Sequence, residues 1–162
     1  MSTAIIDPTG RYRYSLTRSW DASSPLAVFV MINPSTADAA VNDPTIVRCI
    51  GFAKREGFGG LIVVNAYALR STDPANVRRD PGAAIGPRND EFIRLAASDA
   101  DRTGGKVIVA WGPKPWARTR TRYIAHDLLA AWPLWCLGVA KDGSPLHPLM
   151  RPTAQPLIRW AR

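Results

Sequence analysis

Leu26-Ala-Val-Phe-Val-Met-Ile32, followed at once by Asn33-Pro34-Ser35-Thr36, is the stretch on which the reading of this chain turns. The apolar run is short and rich in branched and aromatic residues, which suits a strand buried on both faces. The polar residues behind it then emerge at the carboxyl edge of a sheet, where open α/β folds build their sites. Three further runs have the same character, Leu61–Val64, Val107–Trp111 and Leu134–Leu137, and each is bounded by Gly, Pro or Asn. They read as parallel neighbours of the first. A second polar motif, Leu146-His147-Pro148-Leu149, follows the last of them.

Between the strands lie segments of helical spacing. Pro44–Glu56 places Ile46, Val47, Ile50, Phe52 and Ala53 on an apolar face, with Asp43 as N-cap and Gly57 as the stop. Asn89–Ser98 and Trp116–Trp132 have the same periodicity. Alternating strands and helices predict a single α/β domain over residues 1–162, a three-layer α/β/α sandwich around a central, mostly parallel four-stranded sheet. The alternation in Arg11–Trp20 predicts a half-exposed antiparallel edge strand, and the Pro, Gly, Arg and Asp of Ser71–Pro87 predict a long surface loop.

The chain has 21 Lys+Arg against 13 Asp+Glu, a formal net charge of +8, and only four of the basic residues are lysine. An arginine-rich excess of this size favours a polyanionic partner, nucleic acid first, although a merely solvated basic surface has the same composition. Cys49 and Cys136 lie far apart with no CxxC, so no zinc or iron–sulfur site is expected. No segment is long and apolar enough to span a bilayer and no leader-like start is present, so a monomeric cytoplasmic protein without cofactor or metal is the expectation.

Four elements, in order, resemble the motifs of the uracil-DNA glycosylase superfamily. Phe29-Val-Met-Ile-Asn-Pro34 is similar to the GINPG motif of its mismatch-specific branch, and Leu61-Ile-Val-Val-Asn65 to the strand whose terminal Asn reads a flipped base. Val107-Ile-Val-Ala-Trp111-Gly112 resembles the later strand ending in a small LWG signature, and His147-Pro148-Leu149 the closing HPSPL motif. The chain also resembles a family of short bacterial and phage proteins, known only as a domain of unknown function, that carries an NPSTAD signature like Asn33–Asp38.

The resemblance implies cleavage of an N-glycosidic bond in DNA, double- or single-stranded, after the base leaves the stack. His147 would donate to the departing pyrimidine, Asn33 would hold the attacking water through its side-chain carbonyl, and Asn65 would pair with the base edge. An amide is no strong base, so water activation would be slow unless a carboxylate such as Asp38 or Asp43 contributes. Ser35 stands where uracil-specific members carry a Tyr that excludes a C5 substituent, which implies room for an enlarged pyrimidine. Arg151 stands where the family wedges a Leu into the duplex. Arg118, Arg120 and Arg122, near Trp116, are expected to contact phosphate.

Each residue also has a plainer reading. His147 can cap a turn before Pro148, Asn33 can open an Asn-Pro turn, Asn65 can satisfy loop backbone, Arg151 can touch phosphate without wedging, and the arginine cluster can be a solvated helix face. His126 and the tryptophans Trp20, Trp132, Trp135 and Trp160 read as structural. At the level of function, a non-catalytic DNA reader and an enzyme acting on free nucleotides remain as alternatives to a glycosylase.

Overall fold

The structure, a computed structural model, describes residues 1–162. Seven strands form one sheet: β1 (Ser2–Ile6), β2 (Arg13–Ser19), β3 (Leu26–Met31), β4 (Gly60–Asn65), β5 (Lys106–Val109), β6 (Leu134–Cys136) and β7 (Ile158–Arg159). They lie in the order β1-β2-β4-β3-β5-β6-β7. The four apolar runs are the parallel centre, β4-β3-β5-β6, and antiparallel strands flank it on both sides. The sheet is therefore mixed and wider than the expected four strands. The additional edges, β1 and β7, are short and largely exposed, so they bury too little apolar surface to announce themselves as patterned runs.

Helix α1 (Pro44–Arg55) covers one face of the sheet and α4 (Asn89–Arg102) the other. The period-two alternation of β3 divides between them. Ala27, Phe29 and Met31 pack with Ile46, Cys49 and Phe52, while Val28 and Val30 pack with Ile93, Ala96 and Ala97. Each layer thus buries a complementary apolar face, the ordinary basis of an α/β sandwich. Asp43 caps α1 as expected, its carboxylate accepting from the Ile46 amide at 2.9 Å.

Two expectations are corrected. Strand β2 is not a half-exposed edge: it lies between β1 and β4, and Arg13 through Leu16 are buried. The face that carries Leu16 and Arg18, and to which the bulge at Tyr14 brings Arg13, is covered by the loop after β3, whose Ala37 and Asp38 carbonyls and Asn42 side chain take the guanidinium donors. Arg13 Nη1 donates to Ala37 O at 2.6 Å, Arg18 Nη2 to Asp38 O at 2.6 Å and Arg18 Nε to Asn42 Oδ1 at 2.8 Å. Alternation reports the polarity of a face, not whether a loop crosses it. A register slip, in which Ile5 faces Ser15 but Ile6 faces Arg13, leaves Tyr14 as the extra residue of a β-bulge.

Ser71–Pro87 is not a bare loop either. It contains two one-turn helices, α2 (Pro74–Arg79) and α3 (Pro81–Ile85). Both open with Asp-Pro, and the carboxylates of Asp73 and Asp80 accept from the amides of Ala75 and Ala83. An N-cap acid followed by Pro at the first helical position is a start signal, and the composition of the segment masks it. The Trp116–Trp132 segment forms as a composite: a 3₁₀ turn at Pro115–Ala117, α5 (Arg118–Tyr123) and a π-turn at Ile124–Leu128. No helix is long and apolar enough to cross a membrane.

Candidate active site

Strand β3 has β4 on one side and β5 on the other, so the chain moves outward in both directions from it. At such a switch point the connections diverge and leave a crevice beyond the carboxyl ends of the strands. A cavity of about 420 Å³ lies there. Asn33 enters it from the end of β3, Gly112 and Lys114 from the loop after β5, and His147 and Leu149 from the segment after β6. Ser35, Asp43, Arg13, Ser71 and Thr72 complete its polar wall.

Asn33 is held in one orientation. Its Nδ2 donates to Ser71 O at 2.9 Å and to Pro34 O at 3.1 Å, and only an NH2 group can satisfy two carbonyl oxygens. The side-chain oxygen is left without a protein partner and is the atom that can accept from a water or ligand. Asn33 thus ties its own Asn-Pro turn to the Ser71 loop and lines the cavity as well.

His147 is equally constrained. Its Nδ1 accepts from the Leu149 amide at 3.2 Å, which assigns the ring proton to Nε2. Burial lowers its pKa from the ordinary histidine value, the Lys114 ammonium lowers it further, and the Asp43 carboxylate draws it the other way. The ring is thus a neutral donor near pH 7. Gly112, at φ +76°, lets the β5 loop turn in the left-handed region beside it, and a Cβ there would stand 3.6 Å from the His147 Cβ.

The plain carboxylate and guanidinium of the wall come from elements with other duties. Asp43 commits Oδ1 to capping α1 and keeps Oδ2 free. Asp38, by contrast, spends its carboxylate on the amides of Ala40 and Val41 and does not reach the cavity. Arg13 is 1% exposed, with burial pushing its pKa down to about 10 and Asp43 opposing that shift. It remains charged at neutral pH. Neither its burial nor its place in the wall had a sequence signal, because the bulge at Tyr14 and the covering loop decide both.

Asn65 lies just behind this wall. It pairs across the sheet with Met31, which lines the cavity, and its backbone carbonyl accepts from the buried Asn89 amide at 2.9 Å. The Asn65 side chain is 1% exposed, and neither Nδ2 nor Oδ1 has a protein partner. Leaving a buried polar group unpaired costs about 1–3 kcal/mol. A structural Asn that satisfied loop backbone would not carry that cost.

The basic residues separate into three environments. Arg118 and Arg122 line a second cavity of about 440 Å³ with Trp111, Trp160 and Asp142, and Arg118 meets Asp142 at 3.3 Å. Exposed His126 is on its wall, so it is a surface residue rather than a packing one. Arg120 is turned inward, 7% exposed, donating from Nε to Ala66 O at 2.9 Å and from Nη2 to Asp90 at 2.5 Å. Its expected phosphate role is corrected to a structural one, because helix residues two apart do not share a face, whereas Arg118 and Arg122, four apart, do. Arg151 is half-buried, and its carbonyl accepts from Arg48. The tip of that turn is instead Met150, 84% exposed at φ +68°.

Fold and site together define a three-layer α/β domain with one polar cavity at the switch point of its sheet. Residues 13–149 match the family described as Protein of unknown function (DUF1643), and the chain belongs to that family. The match begins and ends on cavity residues, Arg13 and Leu149. No curated protein and no solved structure matches the chain.

Proposed function

We propose that this protein is a metal-free DNA glycosylase of the uracil-DNA glycosylase type, which takes a pyrimidine out of the helix and hydrolyses its N-glycosidic bond. The observation that carries this reading is the convergence of two oriented groups on one cavity: the acceptor oxygen of Asn33 and the Nε2–H of a neutral His147. Hydrolysis at C1′ needs an acceptor for the attacking water and a donor for the charge that develops on the leaving base. A neutral imidazole supplies the second without bringing a proton that would have to be removed again.

The unpaired amide of Asn65 supports a base-reading role, since a flipped pyrimidine presents both donors and acceptors on its Watson–Crick edge. Reaching it requires the Met31 side chain to give way. Ser35 in the wall leaves space at the C5 edge, and the preferred substrate is a C5-enlarged pyrimidine such as those of phage DNA; uracil is the smaller alternative. Arg118 and Arg122 bind backbone phosphate, and the Leu149–Arg151 turn enters the duplex, with exposed Met150 in advance of Arg151. The protein acts in the cytoplasm as a monomer, in phage defence or base-excision repair. Replacing Ser35 with Tyr in a strand-cleavage assay is expected to suppress excision of C5-enlarged bases while sparing uracil; equal loss on both would remove Ser35 from the C5 edge.

A second reading, a DNA-binding protein that does not cleave, is favoured by one observation: the Asn33 amide cannot take a proton from water. Under that reading the wild type binds modified DNA tightly and releases nothing.

A further inference from the structure

We propose that Asp43, the N-cap of α1, is the general base of this site and the anion that faces the sugar as it becomes cationic. The inference rests on the glycosylase reading above. It answers the chemical deficit left by Asn33. Two carbonyl oxygens, Pro34 O and Ser71 O, stand 3.1 and 2.9 Å from Asn33 Nδ2. A carboxylate there would place oxygen against oxygen, so the loop geometry selects Asn and the base must come from another element.

Asp43 is the one acidic residue in the cavity wall. Its orientation is fixed by the cap, because Oδ1 accepts from the Ile46 amide at 2.9 Å, and Oδ2 has no protein partner. Buried Arg13 and half-buried His147 both feel its charge. The cap itself does not require a charge, since Asn and Ser serve N-caps as well as Asp does. Asp43 therefore carries a negative charge into a cavity where capping alone would accept a neutral residue.

The step balances as a hydrolysis. The C1′–N1 bond breaks with its electron pair leaving on the base, which His147 Nε2–H holds as an anion. Water, positioned by Asn33 Oδ1, adds its oxygen to C1′ and passes a proton to Asp43 Oδ2. That proton then returns through solvent to the base, leaving the abasic sugar with a C1′ hydroxyl.

The test uses the whole protein and two duplexes, one carrying a cationic pyrrolidine abasic analogue and one a neutral tetrahydrofuran. Neither has a base, so the measurement is independent of which pyrimidine is excised. Wild type is expected to bind the cation at least about tenfold tighter than the neutral analogue. Asp43→Asn, which retains a capping amide oxygen, is expected to keep the melting temperature and the tetrahydrofuran affinity but lose the preference. On any DNA from which wild type releases a base, Asp43→Asn is expected to lose about 10²- to 10⁴-fold in excision. A preference that survives in Asp43→Asn, or wild type that does not distinguish the analogues, overturns the inference. If wild type nevertheless releases a base, the glycosylase reading stands without Asp43; if it neither releases a base nor distinguishes the analogues, both fall.

Discussion

Asn33 Nδ2 donates to Ser71 O at 2.9 Å, joining the loop after β3 to the loop before α2 across 38 residues. That bond closes one side of the cavity and decides which end of the amide the cavity receives. Its consequence for mutation is directional. Asn33→Asp replaces a donor by an oxygen facing two carbonyls, and thermal or denaturant unfolding is expected to show about 1–3 kcal/mol of lost stability. Gain of stability on that change would contradict the assigned orientation.

His147 gives the pH dependence. Its folded pKa lies below the ordinary value of 6.5, chiefly because burial disfavours the imidazolium. The unfolded chain therefore takes up the proton first as pH falls, so this contribution to stability is complete above about pH 6.5 and is lost on acidification through the folded pKa. His147→Ala is expected to remove that part of the stability–pH curve. In nitrogen NMR, Nε2 is expected to carry the proton at pH 7; a protonated Nδ1 would contradict the bond to Leu149.

Arg120 and Arg122 are two residues apart and are expected to behave differently. Arg120→Met breaks the bonds to Ala66 and Asp90 and should cost about 2–3 kcal/mol of folding stability, given that Asp90 is partly exposed. The salt dependence of DNA binding by the folded fraction should not change. Arg122→Ala should leave stability intact and reduce the slope of log K against log salt by about 1. Reversal of this pattern would return Arg120 to the DNA surface.

Met150 occupies a backbone region that suits glycine, at φ +68°. Met150→Gly is therefore expected to raise stability by about 1 kcal/mol, read from urea unfolding, because exposed Met150 makes little packing to lose. If the same variant also flips a base less well, as followed by fluorescence of 2-aminopurine in the duplex, the strained turn serves DNA entry.

The parallel centre of the sheet was legible because its strands are buried on both faces and leave uninterrupted apolar runs such as Val28–Ile32. Asn33, Ser35 and His147 were legible because each directly follows such a strand or its return segment, and the topology then brings them to one crevice. Asn65 follows its strand too, but it faces the α1 layer behind Met31, a depth that strand position does not specify. Arg13 and Arg120 were not legible: whether an arginine in an alternating or helical segment meets solvent depends on which loop or helix crosses it. The role of Asp43 in capping α1 followed from its place just before the helically spaced segment, whereas its place in the cavity wall depends on how α1 meets the sheet.

Release of a free base is the most direct test of glycosylase activity in this protein. Purified protein would be incubated with unmodified, uracil-containing and phage-modified DNAs, and the products read by mass spectrometry alongside abasic-site cleavage. The protein is expected to release a pyrimidine, most readily a C5-enlarged one, with loss of about 10²- to 10³-fold in His147→Ala. Tight, salt-sensitive binding to these DNAs with no base released from any of them would contradict that activity.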